Sequence, residues 1–297
     1  MHADAIELID KVVKNDYCVG CGVCASIDGS PFTMKLDENG KYVPMIDDNK
    51  LSNEKDVDLM SVCPFSDRIK NETQIGKEIF DEYGATYNKY TGFYLKNYAG
   101  YVKEGDYRNR GSSGGMGNWI AAQLLKLDLV DGIIHVKPTP DSKDNSALFE
   151  YGISNDLNEL MIGSKSKYYP IEMSKVIDFV KENKGRYALI GIPCFIKSVR
   201  LLAQKNEKIK ERIKFYIGLV CGHLKSDMFA KSMGWQMGVE PDNLIKIDFR
   251  DKLEGRPSND YGVKVEGTID GETKTLRAAR EDAERLKDSG FLKAVGE

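Results

Sequence analysis

Three of the chain's six cysteines fall within seven positions, Cys18, Cys21 and Cys24, in the stretch DYCVGCGVCASIDGSPF. Two residues between successive thiols let one loop wrap a small object and present a sulfur at each turn. Gly20 and Gly22 stand between them, permitting tight backbone and leaving N–H groups free to point at sulfur. A fourth thiol followed by proline, Cys63-Pro64, completes the order of cysteines that holds iron–sulfur clusters. A long insertion separates it from Cys24, and a hairpin inside that insertion would return the chain to its starting point. Cys18, Cys21, Cys24 and Cys63 are therefore the candidate ligands of a [4Fe–4S] cluster. Structural zinc competes, although it more often takes two separated Cys-x2-Cys pairs, or one such pair with two histidines. None of His2, His135 and His223 has that spacing. Incidental thiols are the third reading. A cluster moves one electron at a time, so this reading predicts electron transfer and a second cofactor nearby.

A second group of candidates lies in YRNRGSSGGMGNWIAAQLL, which puts Arg110, Ser112, Ser113, Gly114, Gly115 and Gly117 just before or within the first turn of a predicted helix. Free amides, hydroxyls and the positive end of the helix dipole gather there, ready for a phosphate or an electron-rich ring edge. The stretch lacks both the P-loop and the strict dinucleotide glycine pattern. A serine-capped helix behind a tight turn accounts for it equally well. Cys194 and Cys221 each follow a predicted parallel strand, at the sheet edge where open α/β folds bind ligands. Free cysteine is also simply a small, easily buried hydrophobe. A Cys221 nucleophile served by His223 is a third reading, but close neighbours on one strand end rarely meet in that geometry. Lys165 and Lys167, in GSKSKYYP, could reach a flavin or its phosphates, whereas loop lysines are ordinarily just solvated. Trp119, Trp235, Met228 and Met233 read as core.

The elements that must position these residues are legible in part. Ile6, Ile9, Val12 and Val13 have helical spacing, and residues 31–47 read as two strands around an Asn39-Gly40 turn. Residues 51–98 are polar and mixed, with no confident pattern. From about residue 100 the elements alternate. A helix from Met116 through Leu125 precedes a strand at Gly132 to Val136, and a helix is predicted from Ile171 to Lys181. A strand in RYALIGIPC then ends at Pro193-Cys194, a helix runs through Leu202, and a strand in KFYIGLVCGH ends at Cys221. Apolar strands alternating with helices predict an α/β fold with a mixed, largely parallel sheet flanked by helices. The last third reads as strands joined by a Gly-rich hairpin. The expected division is a small ferredoxin-like [4Fe–4S] module at 1–90 and an α/β body at 91–297.

Composition narrows the function classes. With 43 Lys and Arg against 46 Asp and Glu, the net charge of -3 offers no footprint for a phosphate backbone, so no nucleic-acid partner is expected. No apolar run approaches the roughly 20 residues of a membrane span. The N-terminus lacks the order of a secretory signal, so the chain reads as cytoplasmic, where thiols stay reduced.

Taken in order, CVGCGVCASI, VCPF, RGSSGGMGNWIAAQLLKLDLVDGIIHV, GSKSKYYP, ALIGIPCFIKSVRLL, FYIGLVCGH and IKIDFRDK resemble the coenzyme F-420 hydrogenase/dehydrogenase beta-subunit family. The resemblance implies an FAD in the α/β body. The Ser112–Gly115 turn, with Arg110 before it, and the Lys165–Tyr168 segment would line its site, with Cys194 near. It also implies an FAD- and iron–sulfur-dependent oxidoreductase. FAD would exchange a hydride with a small-molecule redox substrate, and single electrons with the cluster and a ferredoxin-like carrier or hydrogenase/dehydrogenase subunits. The rivals are a non-enzymatic electron-relay or accessory subunit and a zinc-stabilised binding module. Family members commonly continue into a further Cys-x2-Cys pair, whereas no cysteine follows Cys221 here. Either the chain is a shortened member, or Cys194 and Cys221 serve another purpose.

Overall fold

The computed structural model describes residues 3–50, 57–140, 147–257 and 260–279. The chain's end, where a shortened C-terminus was expected, lies outside these residues.

The N-terminal amphipathic pattern forms helix α1 (Ala3–Leu8), which widens into a single π-helical turn at Ile9–Val13 and buries Ala5, Leu8 and Val12. After the cysteine loop, β1 (Phe32–Leu36) and β2 (Tyr42–Ile46) pair antiparallel. Gly40 takes the positive φ of 68° that their tight turn demands. The stretch without a clear pattern contains α2 (Glu72–Phe80) and the short hairpin β3 (Thr86–Asn88) and β4 (Gly92–Tyr94). A reciprocal capping box between Asn71 and Gln74 starts α2.

The body begins with α3 (Tyr107–Arg110) and α4 (Met116–Lys126). Strand β5 (Gly132–Pro138) and strand β6 (Phe149–Ser154) form an antiparallel pair, followed by α5 (Leu157–Ile162) and α6 (Ser174–Glu182). Then come β7 (Tyr187–Gly191), α7 (Pro193–Ala203), α8 (Glu207–Arg212) and β8 (Ile213–Gly218). The sheet order is β6-β5-β7-β8, with β5, β7 and β8 parallel and β6 an antiparallel edge. This is the expected mixed, largely parallel α/β sheet flanked by helices. All five residues of β7 are buried, as a central parallel strand requires. Helix α9 (Asp227–Gln236) leads into the antiparallel meander β9 (Leu244–Lys252), β10 (Tyr261–Ile269) and β11 (Glu272–Ala278).

Two strand boundaries differ from the sequence pattern. β7 stops at Gly191, and Pro193 opens α7, where its missing N–H and fixed φ suit a first helical turn. Cys194 is thus the second residue of a helix. β8 stops at Gly218, which leaves Cys221 in the loop that follows. Trp235 and Met228 are exposed rather than core.

The largest hydrophobic cluster draws Leu8, Cys21, Val23, Phe32 and Leu59 together with Met173, Ile177, Leu189, Phe195 and Val199 of the body. Each fully buried Leu, Ile or Phe contributes roughly 1.5–3 kcal/mol, so the cysteine loop is anchored by the body's own core. The Met173 N–H also donates to Cys21 O at 2.9 Å. Among the described residues no helix is long and apolar enough to cross a membrane.

Candidate functional site

Cys18, Cys21, Cys24 and Cys63 line one cavity of about 20 Å³. The elements around them explain why four thiols from two segments meet. Helix α1 supplies Leu8 and the π-helical turn after it Val12, the β1–β2 hairpin supplies Met34 and Pro44, and Val62 comes with Cys63. The hairpin thus closes the insertion, as the sequence suggested. Gly20 and Gly22 have φ of 65° and 82°. A Cβ on Gly20 would stand 2.5 Å from Tyr42 O, so only glycine lets the loop lie against β2.

Burial pushes the Cys18 thiol up to about 11 and the Cys63 thiol up to about 12. Burial raises Cys21, and it raises Cys24 further, with the three neighbouring thiols adding to the effect. Backbone N–H groups oppose it: Gly20 donates to Cys18, Val23 to Cys21, and Phe65 and Ser66 to Cys63. Such a site is too dry to hold bare thiolates and is already furnished with donors for ligand sulfurs. The donor set fits an iron–sulfur group, which ionises its thiols and draws on such N–H bonds. A void of about 10–15 Å³ holds one water, so the thiols themselves fill most of the space between them. Among the described residues no three His, Cys, Asp or Glu side chains form a group able to hold a metal ion.

A second cavity, of about 570 Å³, opens at the C-terminal edge of the parallel strands. That edge is where open α/β sheets bind ligands, and the size suits a cofactor. Ile190 and Gly191 of β7, His135 of β5, the loop from Leu219 to Ser226 after β8, and Gly117 and Asn118 of α4 all line it. So do Lys165, Ser166, Lys167 and Tyr168. Cys18 and Val19 line this cavity as well as the small one.

The large cavity's charge is mostly positive, with Lys41, Lys165, Lys167, Lys225 and Arg250 facing one acid, Asp16, among the lining residues. Lys165 pairs with Asp248 and takes a left-handed φ of 73°, a strained conformation for a residue with a side chain. Lys167 Nζ donates to Ser164 O at 2.7 Å and lies 5.2 Å from the Phe149 ring centre. Burial lowers the Lys167 ammonium to about 8, Asp248 opposing and Lys165 assisting. His135 Nε2 is 2.8 Å from Ser154 Oγ. Burial, then Lys137 and Lys167, lower that imidazole to about 4, so it is neutral at pH 7. The Tyr151 hydroxyl donates to Ile190 O at 3.2 Å, and burial raises its pKa.

The glycine-rich turn stands behind this cavity rather than on its lining. Ser112 Oγ accepts from Ser166 N at 2.8 Å and so ties the turn to the Lys165–Tyr168 segment. Gly114 O accepts from Val102 N at 2.9 Å. Gly115, with φ of 81°, caps α4 where a Cβ would sit 2.7 Å from Tyr107 O. Ser113 is exposed, and Arg110 donates to Met161 O at 3.3 Å. The helix reaches the cavity through Gly117 and Asn118 of its first turn, and Asn118 Nδ2 donates to Ser164 Oγ at 2.9 Å. Cys221 lines the large cavity, while Cys194 is half-buried against the core cluster that holds Cys21. His135, Tyr151 and Lys41 are lining residues that sequence reasoning missed. His135 sits in the apolar run GIIHV, where a polar residue in a buried strand was the available signal.

The family model described as coenzyme F420 hydrogenase/dehydrogenase, beta subunit N-term, matches residues 97–178, and its C-terminus counterpart matches residues 184–284. The chain belongs to this family. Beta subunits of this family bind iron–sulfur clusters. Both matches fall on the body, after the four cluster-candidate thiols. No curated protein matches the chain. Among solved structures, a chain of the xenon-derivatized F420-reducing [NiFe] hydrogenase complex from Methanosarcina barkeri is similar at 11% identity and a TM-score of 0.43. The likeness covers 67% of this chain and 65%, less than two thirds, of that one.

Proposed function

We propose that the chain is an iron–sulfur flavoprotein oxidoreductase with a [4Fe–4S] cluster on Cys18, Cys21, Cys24 and Cys63 and an FAD in the large cavity. The observation that carries this reading is the shared wall: Cys18 and Val19 line both cavities, so occupants of the two would be neighbours.

A bound flavin supplies the exchange of one hydride for two single electrons. Lys167 and Lys165 offer positive charge to the anionic diphosphate, and Ser112 fixes the segment that carries them. Neutral His135 presents an uncharged imidazole to the cavity, and the buried Tyr151 and Phe195 side chains exclude water from the wall near β7. The four cysteines hold the one-electron centre against the core, in a fixed position relative to that wall. In this reading residues 1–90 form the cluster module and 91–297 the flavin-binding body, locked together by a common core. A ferredoxin-like carrier or hydrogenase/dehydrogenase subunits exchange single electrons with the cluster in the cytoplasm, and a small molecule exchanges hydride at the open side of the large cavity.

Absorbance and metal analysis of anaerobically purified protein test the proposal. Flavin bands over a broad iron–sulfur shoulder are expected. A cluster shoulder without flavin would support an electron relay instead, and a colourless zinc protein a binding module.

A further inference from the structure

Resting on the electron-exchange reading for the partner's role, we infer that the stretch from Tyr83 to Lys103 is a docking surface for an acidic protein, the carrier that exchanges single electrons with this chain. The stretch, YGATYNKYTGFYLKNYAGYVK, holds six of the chain's 15 tyrosines and three lysines, Lys89, Lys96 and Lys103, and contains no acid. It is a segment of charge +3 in a chain of net charge -3. Tyr83, Tyr87, Tyr90, Leu95, Tyr98 and Tyr101 are each at least half exposed. Apolar side chains scattered singly over a surface are ordinary, whereas a dense exposed group marks a site of interaction.

The fold holds this surface out instead of covering it. β3 and β4 form a two-stranded ribbon joined to neither larger sheet, and such a ribbon is marginal on its own. It leans on α2, where Phe93 lies close against Gly76. That helix is in turn tied to α7, since Lys197 Nζ donates to Glu72 Oε1 at 2.8 Å. Beyond β4 the chain runs without regular structure to Val102, whose N–H rejoins the body at Gly114 O. Tyrosine offers a large, rigid contact surface with a polar tip and is enriched where proteins bind proteins. Lys89 Nζ lies 4.8 Å from the Tyr90 ring centre, and among the described residues none of the three lysines has an ion pair.

Charge selects the occupant. A second copy docking stretch to stretch would set lysine against lysine. Three charges are few for a phosphate backbone, whose binding grows with each phosphate neutralised. An acidic protein surface supplies the complement: its carboxylates steer the encounter and fix its register, while the tyrosines supply the buried contact.

The test uses the full chain and an acidic plant-type [2Fe–2S] ferredoxin, with binding read by calorimetry, which needs no electron transfer. The wild type is expected to bind it, less tightly as salt rises, and to bind neither basic cytochrome c nor a single-stranded oligonucleotide. Lys89→Glu, Lys96→Glu and Lys103→Glu together should weaken ferredoxin binding about tenfold or more at low salt. Tyr90→Ser with Tyr98→Ser should weaken it about tenfold at every salt concentration. Both variants change only exposed side chains, so iron and flavin contents should match the wild type, and dithionite should bleach all three proteins alike. Absence of ferredoxin binding by the wild type, or unchanged binding by either variant, overturns the inference. So does preference for the oligonucleotide, or self-association through this stretch. A wild type that binds ferredoxin but holds no centre that dithionite bleaches would instead overturn the electron-exchange reading.

Discussion

The two cavities of this chain are built by opposite means. The small one is assembled by local sequence: three thiols in one glycine-punctuated loop, a fourth returned by a hairpin, and walls of Leu8, Val12, Met34 and Pro44. It carries no formal charge on its lining. The large one is assembled by topology, from β5 and β7, the loop after β8, the first turn of α4 and the Lys165–Tyr168 segment, and its lining is cationic. A donor set for a metal group can be written in a short motif, because the metal supplies the binding energy and the chain need only present sulfur. A site for a large organic anion needs many weak contacts, which only the whole sheet can gather.

That contrast can be broken at either end, and the largest effect is expected at the thiols. Cys63→Ala removes one of four ligands, and complete loss of bound iron and sulfide is expected with flavin retained, measured by iron and sulfide assay beside flavin extraction. Loss of flavin together with iron would show that the two sites are not separable. Next in size is Gly115→Val. A side chain at φ of 81°, 2.7 Å from the Tyr107 carbonyl, displaces the turn behind the flavin cavity. Loss of flavin and of about 2 kcal/mol or more in urea denaturation is expected, with iron retained.

A smaller effect separates the two cavities by pH. The Lys167 charge, lowered to about 8 by burial, is present below that pH and lost above it. Flavin affinity should be flat up to about pH 8 and then weaken by about tenfold, or about 1.4 kcal/mol, as the ammonium deprotonates. Lys167→Met should bind weakly at every pH, with a flat profile in a fluorescence titration. In the flavin-free chain the sign is opposite. The unfolded chain holds this proton more tightly, so stability should rise as pH increases from about 8 towards the unperturbed value of about 10.4. The smallest effect belongs to Ser112→Ala, which deletes the bond to Ser166 N. A loss of about 1 kcal/mol and a few-fold weaker flavin binding are expected by calorimetry, with no change in iron.

The same contrast governs what the sequence disclosed. The four thiols, the Asn39-Gly40 hairpin and the buried run of β7 were readable because each is a local pattern with one physical cause. The antiparallel edge β6 was not, since nothing in a short strand states its direction of pairing. Pro193 misled as the end of a strand, although proline suits the first turn of a helix, and that placed Cys194 wrongly at a strand end. Helix α2 was hidden because its start is marked by the Asn71 and Gln74 capping box rather than by apolar spacing. His135 and Tyr151 became site residues only through the cavity that the folded strands enclose. The exposed Trp235 shows the converse, a large apolar residue that burial statistics place inside and the fold leaves 57% exposed.

The most direct measurement compares two donors on flavin-loaded protein under argon. A one-electron protein donor too bulky to enter the large cavity should bleach the flavin of the wild type but not of Cys63→Ala, while a hydride donor that chemistry allows into the cavity bleaches both. Equal bleaching of both proteins by the one-electron donor would contradict a route that runs from four sulfurs, past Cys18, into the cavity beside it.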